Sequence, residues 1–568
     1  MVEAQADRVD RSAAPWLRSR PWHLLVPPLV AVASVAVVVT MGWRGADWPA
    51  QIFRIETFRS DGFTVWNNYW YGGHHSVGYS VLLPPLAVVL GTTAVAVACA
   101  AMAAWGMADL LPRVRPGVDD RAVVLGASLF GFTMAANVAI GRLPFLLGVA
   151  IVVAALVAWA HGAWALAVVL AILSGFASPV AALFLGIIAG GCALPHWRRA
   201  SDLVRFGDVR GRGPLLAMAA MVPVLLIAWV FPAGGSFPFT FVGFASALAA
   251  IASVAWAGRD DAIEIRAVCA VAGLATIVAF VLPTALGGNI VRLPMFAALP
   301  MLVVLLWGRH QLLIGPVALV FVAWAWWPAA DAVLWAADDP TADAAFFAPM
   351  IAVVTNESDE PARVEIPFTR RHWEAAYVAP YIPLARGWER QLDRRTNAVF
   401  YQDEPLTALD FHVWLRENAV QYVALPNAEL DPSAEAEAAL LRMGQPFLRP
   451  VWSSENWQVW EVTTGADLVR GDAELIALTS DSVVLDVAHP HDVLVRVRFS
   501  PHWSVEGDSC VMEDPDGWTL VHVVDAGEVT LTISPDALAG VGDTAADPCD
   551  PDVITTIEDG LPGPRPGD

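Results

Sequence analysis

The run LLVPPLVAVASVAVVVTMGW, Leu24 to Trp43, holds twenty residues without a charge, which is long enough to cross the hydrocarbon core of a bilayer as one helix. Arg8, Arg11, Arg18 and Arg20 precede it and no small-residue cleavage signal follows, so it reads as a retained anchor with the N-terminus in the cytoplasm. Similar runs recur near 92–112, 122–139, 143–160, 163–177, 179–194, 215–233, 240–257, 267–286, 296–308 and 312–329. The expected fold class is therefore a polytopic α-helical membrane protein of about eleven spans, with residues 330–568 outside the cell membrane. Arginine placement agrees. Fifteen of the 20 arginines before residue 330 fall inside on this topology, and only Arg44, Arg54, Arg59, Arg142 and Arg292 fall outside. The apolar stretch Gly78 to Gly91, with Pro84-Pro85, is read as a re-entrant dip, because an extra span there would move Arg113, Arg115 and Arg121 to the outside.

Composition points the same way. Of 568 residues 56% are hydrophobic and 16% charged, against about 25% charged in an ordinary globular chain. The net charge of −22 divides into +6 for residues 1–329 and −28 for 330–568, and every basic residue is arginine. A nucleic-acid-binding or disordered chain is excluded, and Schiff-base chemistry has no lysine to use.

After Trp327-Pro328 the hydropathy falls and the periodicity changes. Within 330–465, strand-like runs (362–368, 421–425, 457–462) alternate with helical ones (406–418, 433–443), which predicts an extracytoplasmic α/β subdomain. Within 466–540, runs at 482–488, 493–499 and 528–533 alternate apolar with polar between turn residues, which predicts a β-sandwich. Residues 541–568 read as a disordered tail, and 1–23 as a cytoplasmic segment. Cys99, Cys192 and Cys269 lie in apolar runs, which leaves Cys510 and Cys549 as the pair able to form a disulfide outside the membrane.

The chemistry-bearing residues gather in the first outer loop, 44–91. It runs Arg44-Gly45-Ala46-Asp47-Trp48-Pro49-Ala50-Gln51, then Arg54, Glu56, Arg59 and Asp61, then Trp66 to Trp70, Tyr71, and Gly72-Gly73-His74-His75. Asp47 stands just beyond the first span, where a carboxylate can face an outer cavity and act as a general base; it also reads as a solvated acid or a helix cap. Asp61 is the second candidate base, in a turn-like Ser60-Asp61-Gly62. Arg142 in Gly-Arg-Leu-Pro and Arg292 in Gly-Gly-Asn289-Ile-Val-Arg-Leu-Pro each place one guanidinium at the outer membrane face, where its fork suits a phosphate. Arg44 is a third candidate for the phosphate. Trp48, Gln51, Trp70, His74, His75 and Asn289 are candidates for substrate contact. Adjacent histidines diverge on a strand or helix, and no Cys/His set has zinc-ligand spacing, so no metal site is assigned.

These features resemble the GT-C glycosyltransferase superfamily, and in particular actinobacterial membrane proteins of that type. The likeness rests on residues 45–51 and on 73–85, with Gly141-Arg142-Leu143-Pro144-Phe145 and residues 288–293 in support. What the resemblance implies is an envelope glycosyltransferase. It would move a sugar from a polyprenyl-phosphate donor to a glycan or lipid acceptor on the outer face, with Asp47 matching the loop acid. The paired acids after the first span common in several branches are absent here, and a divalent cation is the one cofactor the resemblance leaves open. A transporter or lipid-linked-sugar flippase is the alternative from another class, and a non-catalytic envelope assembly protein is the third. Against transport stand the absence of an internal repeat and of a charge in mid-span.

Overall fold

A computed structural model of the chain describes residues 22–196, 212–232, 234–335, 339–358, 360–505, 507–533 and 549. The N-terminal arginines and the tail predicted for 541–568, apart from Cys549, lie outside the described residues. The chain is a multi-pass membrane protein. Among the described residues nine helices are long and apolar enough to cross a membrane, and three shorter apolar helices, Trp164–Ala177, Phe241–Ala257 and Ala344–Glu357, accompany them. In chain order the membrane region comprises α1 (Trp22–Thr40), α2 (Trp48–Asp61), α3 (Leu83–Leu90), α4 (Thr92–Val114), α5 (Asp120–Ile140), α6 (Leu143–Ala160), α7 (Trp164–Ala177), α8 (Pro179–Ala193), α9 (Gly213–Val230), α10 (Phe241–Ala257), α11 (Ile263–Val281), α12 (Arg292–Leu306) and α13 (Ile314–Trp326). The expected spans at 267–286 and 296–308 are shifted toward the N-terminus, since Pro283 follows the end of α11 and α12 begins at Arg292. The dip predicted for 78–91 contains α3, whose eight residues extend about 12 Å at 1.5 Å per residue. That is too short to cross.

Lipid tails give helices no hydrophobic reason to associate, so close approach of small residues does the work. An added Cβ at Gly131 of α5 would stand 3.0 Å from both Ala104 of α4 and Ala31 of α1, and one at Gly148 of α6 would stand 2.7 Å from Ala181 of α8. The helices α5, α6 and α12 form the buried centre. The C-terminal end of α5 and the N-terminal ends of α6 and α12 carry the residues discussed below.

Beyond the membrane region, β3 (Arg363–Glu365), β4 (Val420–Pro426), β5 (Leu448–Ser453) and β6 (Trp457–Val462) form a sheet of order β3-β4-β6-β5, with β3 and β4 parallel and the other pairs antiparallel. Helices Ala408–Glu417 and Glu435–Met443 connect its strands. Two four-stranded antiparallel sheets follow between Val469 and Thr532, and their inward Val, Leu and Trp503 side chains share one core. Cys510 and Cys549 are disulfide-bonded, and the other three cysteines are free.

The loop after α1, residues 44–91, binds these parts together. Its two-stranded hairpin, β1 (Trp66–Asn67) against β2 (His74–His75), presents a backbone that several remote segments use. Asn68 N–H donates to Ser480 O at 2.8 Å, Leu384 N–H to Tyr69 O at 2.8 Å, and Arg498 N–H to Gly72 O at 2.7 Å. The loop thus serves as a bracket between membrane helices and both C-terminal units.

Candidate functional site

The site begins where two backbones touch. Gly141 closes α5 in a left-handed conformation, φ 97°, and an added Cβ there would stand 2.4 Å from Trp48 N and 2.7 Å from Asp47 C. Only glycine fits. On the other side Gly45 N–H donates to Ala139 O at 2.7 Å, Asp47 N–H to Ile140 O at 3.0 Å, and Trp48 Nε1 to Val138 O at 2.8 Å. These bonds fix Asp47 at the start of α2, where its side chain caps nothing. Its carboxylate instead turns to Arg142, whose Nε lies 3.5 Å from Asp47 Oδ2, with both side chains under one-fifth exposed. That buried Nε has no hydrogen-bond partner.

Arg292 joins them. Its guanidinium lies over the ring of Phe145, one turn into α6, at 5.2 Å. Asp47, Arg142 and Tyr79 are the ionisable groups that act on it. Among the described residues it forms no ion pair. Tyr79 lies between this group and the outer wall. Burial, reinforced by the negative charge of Asp47, pushes its phenol up to about 12, so it remains a proton donor. Asn137 is fully buried on α5 with neither amide atom hydrogen-bonded. It lies eleven residues, about three turns, beyond Gly126 on the same face. Gly126 packs against Pro300 of α12, so the antiparallel run of α12 sets Asn137 level with the segment from Asn289 to Arg292. Asn289 occupies the 3₁₀ turn leading into Arg292.

The outer wall comes from α2 and the segment 386–390. Asp47, Gln51 and Arg54 follow at i, i+4 and i+7 and share a face. Gln51 is buried and its amide reaches back to Asp47 O at 3.4 Å. Arg54 donates to Glu389 Oε1 at 2.5 Å and lies 4.2 Å over the Tyr79 ring, while its buried Nη1 has no partner. Burial raises the Glu389 carboxyl and Arg54 opposes that rise. Trp388 donates from Nε1 to Ala46 O at 2.6 Å and meets Tyr79 edge-on at 5.9 Å. Two carboxylates and three guanidiniums therefore converge, leaving one positive charge unmatched. A partly buried excess charge is costly unless an anion offsets it. The arrangement can hold an anion beside a carboxylate.

Other candidate residues stand apart. Arg44 is exposed, and its charge acts on the phenol of Tyr377. Asp61 ends α2, about 20 Å from its start at 1.5 Å per residue, and is exposed. Trp70 is wholly buried, stacked 4.2 Å from Phe53 and 5.5 Å from His74, so no face of its ring is left for a ligand. His74 turns toward Trp70, whereas His75 turns toward Trp66, Phe231 and His502. Burial lowers His74 to about 3 and His75 to about 4, and both are neutral. No group of three or more metal-ligating side chains occurs among the described residues. Arg386, on which the 386–390 segment pivots, is buried among Asp393, Glu437 and Glu365 as an internal ion cluster. Asn137 was not singled out by sequence, and Tyr79, Arg54 and Trp388 were noted there without a role in this site. Asn137 sits singly in an apolar run, and Arg54 and Trp388 acquire their setting through contacts over three hundred residues apart.

No family model matches the sequence, and no curated protein matches it. Among solved structures, the chain is similar to the arabinofuranosyltransferase AftD from Mycobacteria, determined by single-particle cryo-EM, at 16% identity and a TM-score of 0.45 over 83% of this chain. The match spans 41% of that protein's length. Likeness at this level speaks neither for an activity nor for a substrate of this chain.

Proposed function

We propose that the protein is an outer-face membrane glycosyltransferase, moving a sugar from a polyprenyl-phosphate donor to a cell-envelope glycan or lipid. The observation that carries this reading is the meeting of Asp47 with Arg142, Arg292 and Tyr79 at the ends of α1, α5 and α12. Asp47 takes the proton of the acceptor hydroxyl as that oxygen attacks the anomeric carbon. The bond from that carbon to the phosphate oxygen breaks, and the lipid phosphate leaves with the electron pair. Arg142 and Arg292 hold the phosphate and stabilise the charge growing on it. Binding of the phosphate draws Arg142 from Asp47, so the base is released when the donor is seated. Tyr79 and the free Nη1 of Arg54 add donors, and Asn137 offers one donor and one acceptor to a neighbouring hydroxyl. A phosphate-activated sugar needs less acid assistance than a plain glycoside, for which two flanking carboxylates are usual. One base therefore suffices.

The test is a deletion strain complemented with wild type or Asp47→Asn, followed by profiling of envelope lipids and glycans. A glycan missing from the deletion should return with wild type and stay missing with Asp47→Asn at equal membrane expression. Full restoration by Asp47→Asn would remove the residue from the reaction.

A further inference from the structure

A second cavity lies away from this site. It has a volume of about 370 Å³ and is lined by Ala33, Ser34 and Val37 of α1, Phe132 of α5, Trp326 of α13, and Trp43 and Val333. The helices α1 and α13 both pack on α5 and leave a slot between them that opens to the side. Its outer end is roofed by Trp43 and Trp326, edge-to-face at 6.3 Å, and Phe132 lies 5.2 Å from Trp326. Inside this apolar setting Trp326 Nε1 is buried and has no acceptor among the described residues. An indole N–H left without an acceptor costs free energy, and tryptophans of this kind sit at headgroup depth, where lipid oxygens are available.

Size decides between occupants. A transmembrane helix about 10 Å across and 30 Å long needs on the order of 2,400 Å³, several times the slot. A single hydrocarbon chain does not. We infer that the slot seats one acyl chain of a membrane phospholipid, with an ester or headgroup oxygen of that lipid accepting from Trp326 Nε1. The walls of the slot are the elements that fix Asp47: α1 ends five residues before Gly45, and α5 supplies the carbonyls that hold Gly45 and Asp47. The lipid is a structural ligand that sets the spacing of α1 and α13 on α5. It is not the donor proposed above and does not depend on that reading.

The full chain reconstituted in vesicles of phosphatidylcholine and phosphatidylglycerol, with a trace of phosphatidylcholine carrying an acyl diazirine, tests this by irradiation and peptide mass spectrometry. Label should accumulate on Val37 and Phe132 roughly tenfold over Leu225, an exposed position on α9, as a site preference rather than bulk contact gives. Val37→Trp, which fills the slot from an exposed position, should bring Phe132 down to the level of Leu225. Trp326→Phe, which keeps the ring and removes the donor, should reduce label at both positions. Equal labelling of Val37, Phe132 and Leu225, the result for annular lipid alone, would overturn the inference. So would labelling of Phe132 unchanged by Val37→Trp in protein whose thermal unfolding matches wild type.

Discussion

Asp47, Arg142 and Arg292 were legible in the sequence because a charge at the outer end of an apolar run is rare and needs a reason. Asn137 was not, since one polar residue in such a run has no pattern to set it apart. Gly141 tests the local geometry. Alanine there takes a left-handed backbone and a Cβ aimed at the backbone of Trp48, so Gly141→Ala should cost at least about 1–2 kcal/mol. It should also lose activity by displacing Asp47, read from thermal unfolding and product yield together. Asp47→Asn should lower the rate by about 10²–10⁴-fold, the range of general base catalysis, with unfolding unchanged. Restoration of the Asn variant's rate by raising pH would point to a different base.

The helix α2 and the hairpin β1–β2 were read from the sequence as parts of one long loop, 44–91. Strands of two residues carry no periodicity, and what holds this hairpin is Ser480, Leu384 and Arg498 far along the chain. The Arg54–Glu389 pair fastens α2 to the 360–462 unit. Arg54→Ala leaves a buried carboxylate unpaired and should destabilise by about 3–5 kcal/mol, whereas adding Glu389→Gln should recover part of that loss. Equal unfolding of the single and double variants would show the pair to be unimportant. The hairpin also carries a pH dependence. His74 and His75 have folded pKa values below the ordinary value of about 6.5. Their unfolded forms take up protons first, so stability is full above about 6.5 and falls as pH drops toward 4. Each group contributes about 1.4 kcal/mol per pH unit within that window. Exchange of the Ser76 amide should quicken between pH 7 and 5, and His75→Phe should flatten that dependence.

Apolar run lengths outlined the membrane helices, and alternation outlined the strand-rich region, because bilayer thickness and sheet pleat impose those periods directly. Their mutual placement was not legible. It depends on glycine contacts, on Arg363 buried between Asn418 O and Arg496 O, and on a loop that touches every part. The topology predicts that 330–533 faces outward, so protease added to intact spheroplasts should cleave within it and leave the 113–121 and 309–310 connections intact; the reverse pattern would invert the protein. The central claim is that the three charges form one phosphate pocket. Binding of a polyprenyl phosphate to the purified full chain, followed by calorimetry, tests it most directly. Wild type should bind, and Arg142→Gln and Arg292→Gln should each weaken binding by tenfold or more, since a charge-assisted bond to phosphate is worth about 1.5–3 kcal/mol. Affinity unchanged in both variants would contradict the claim.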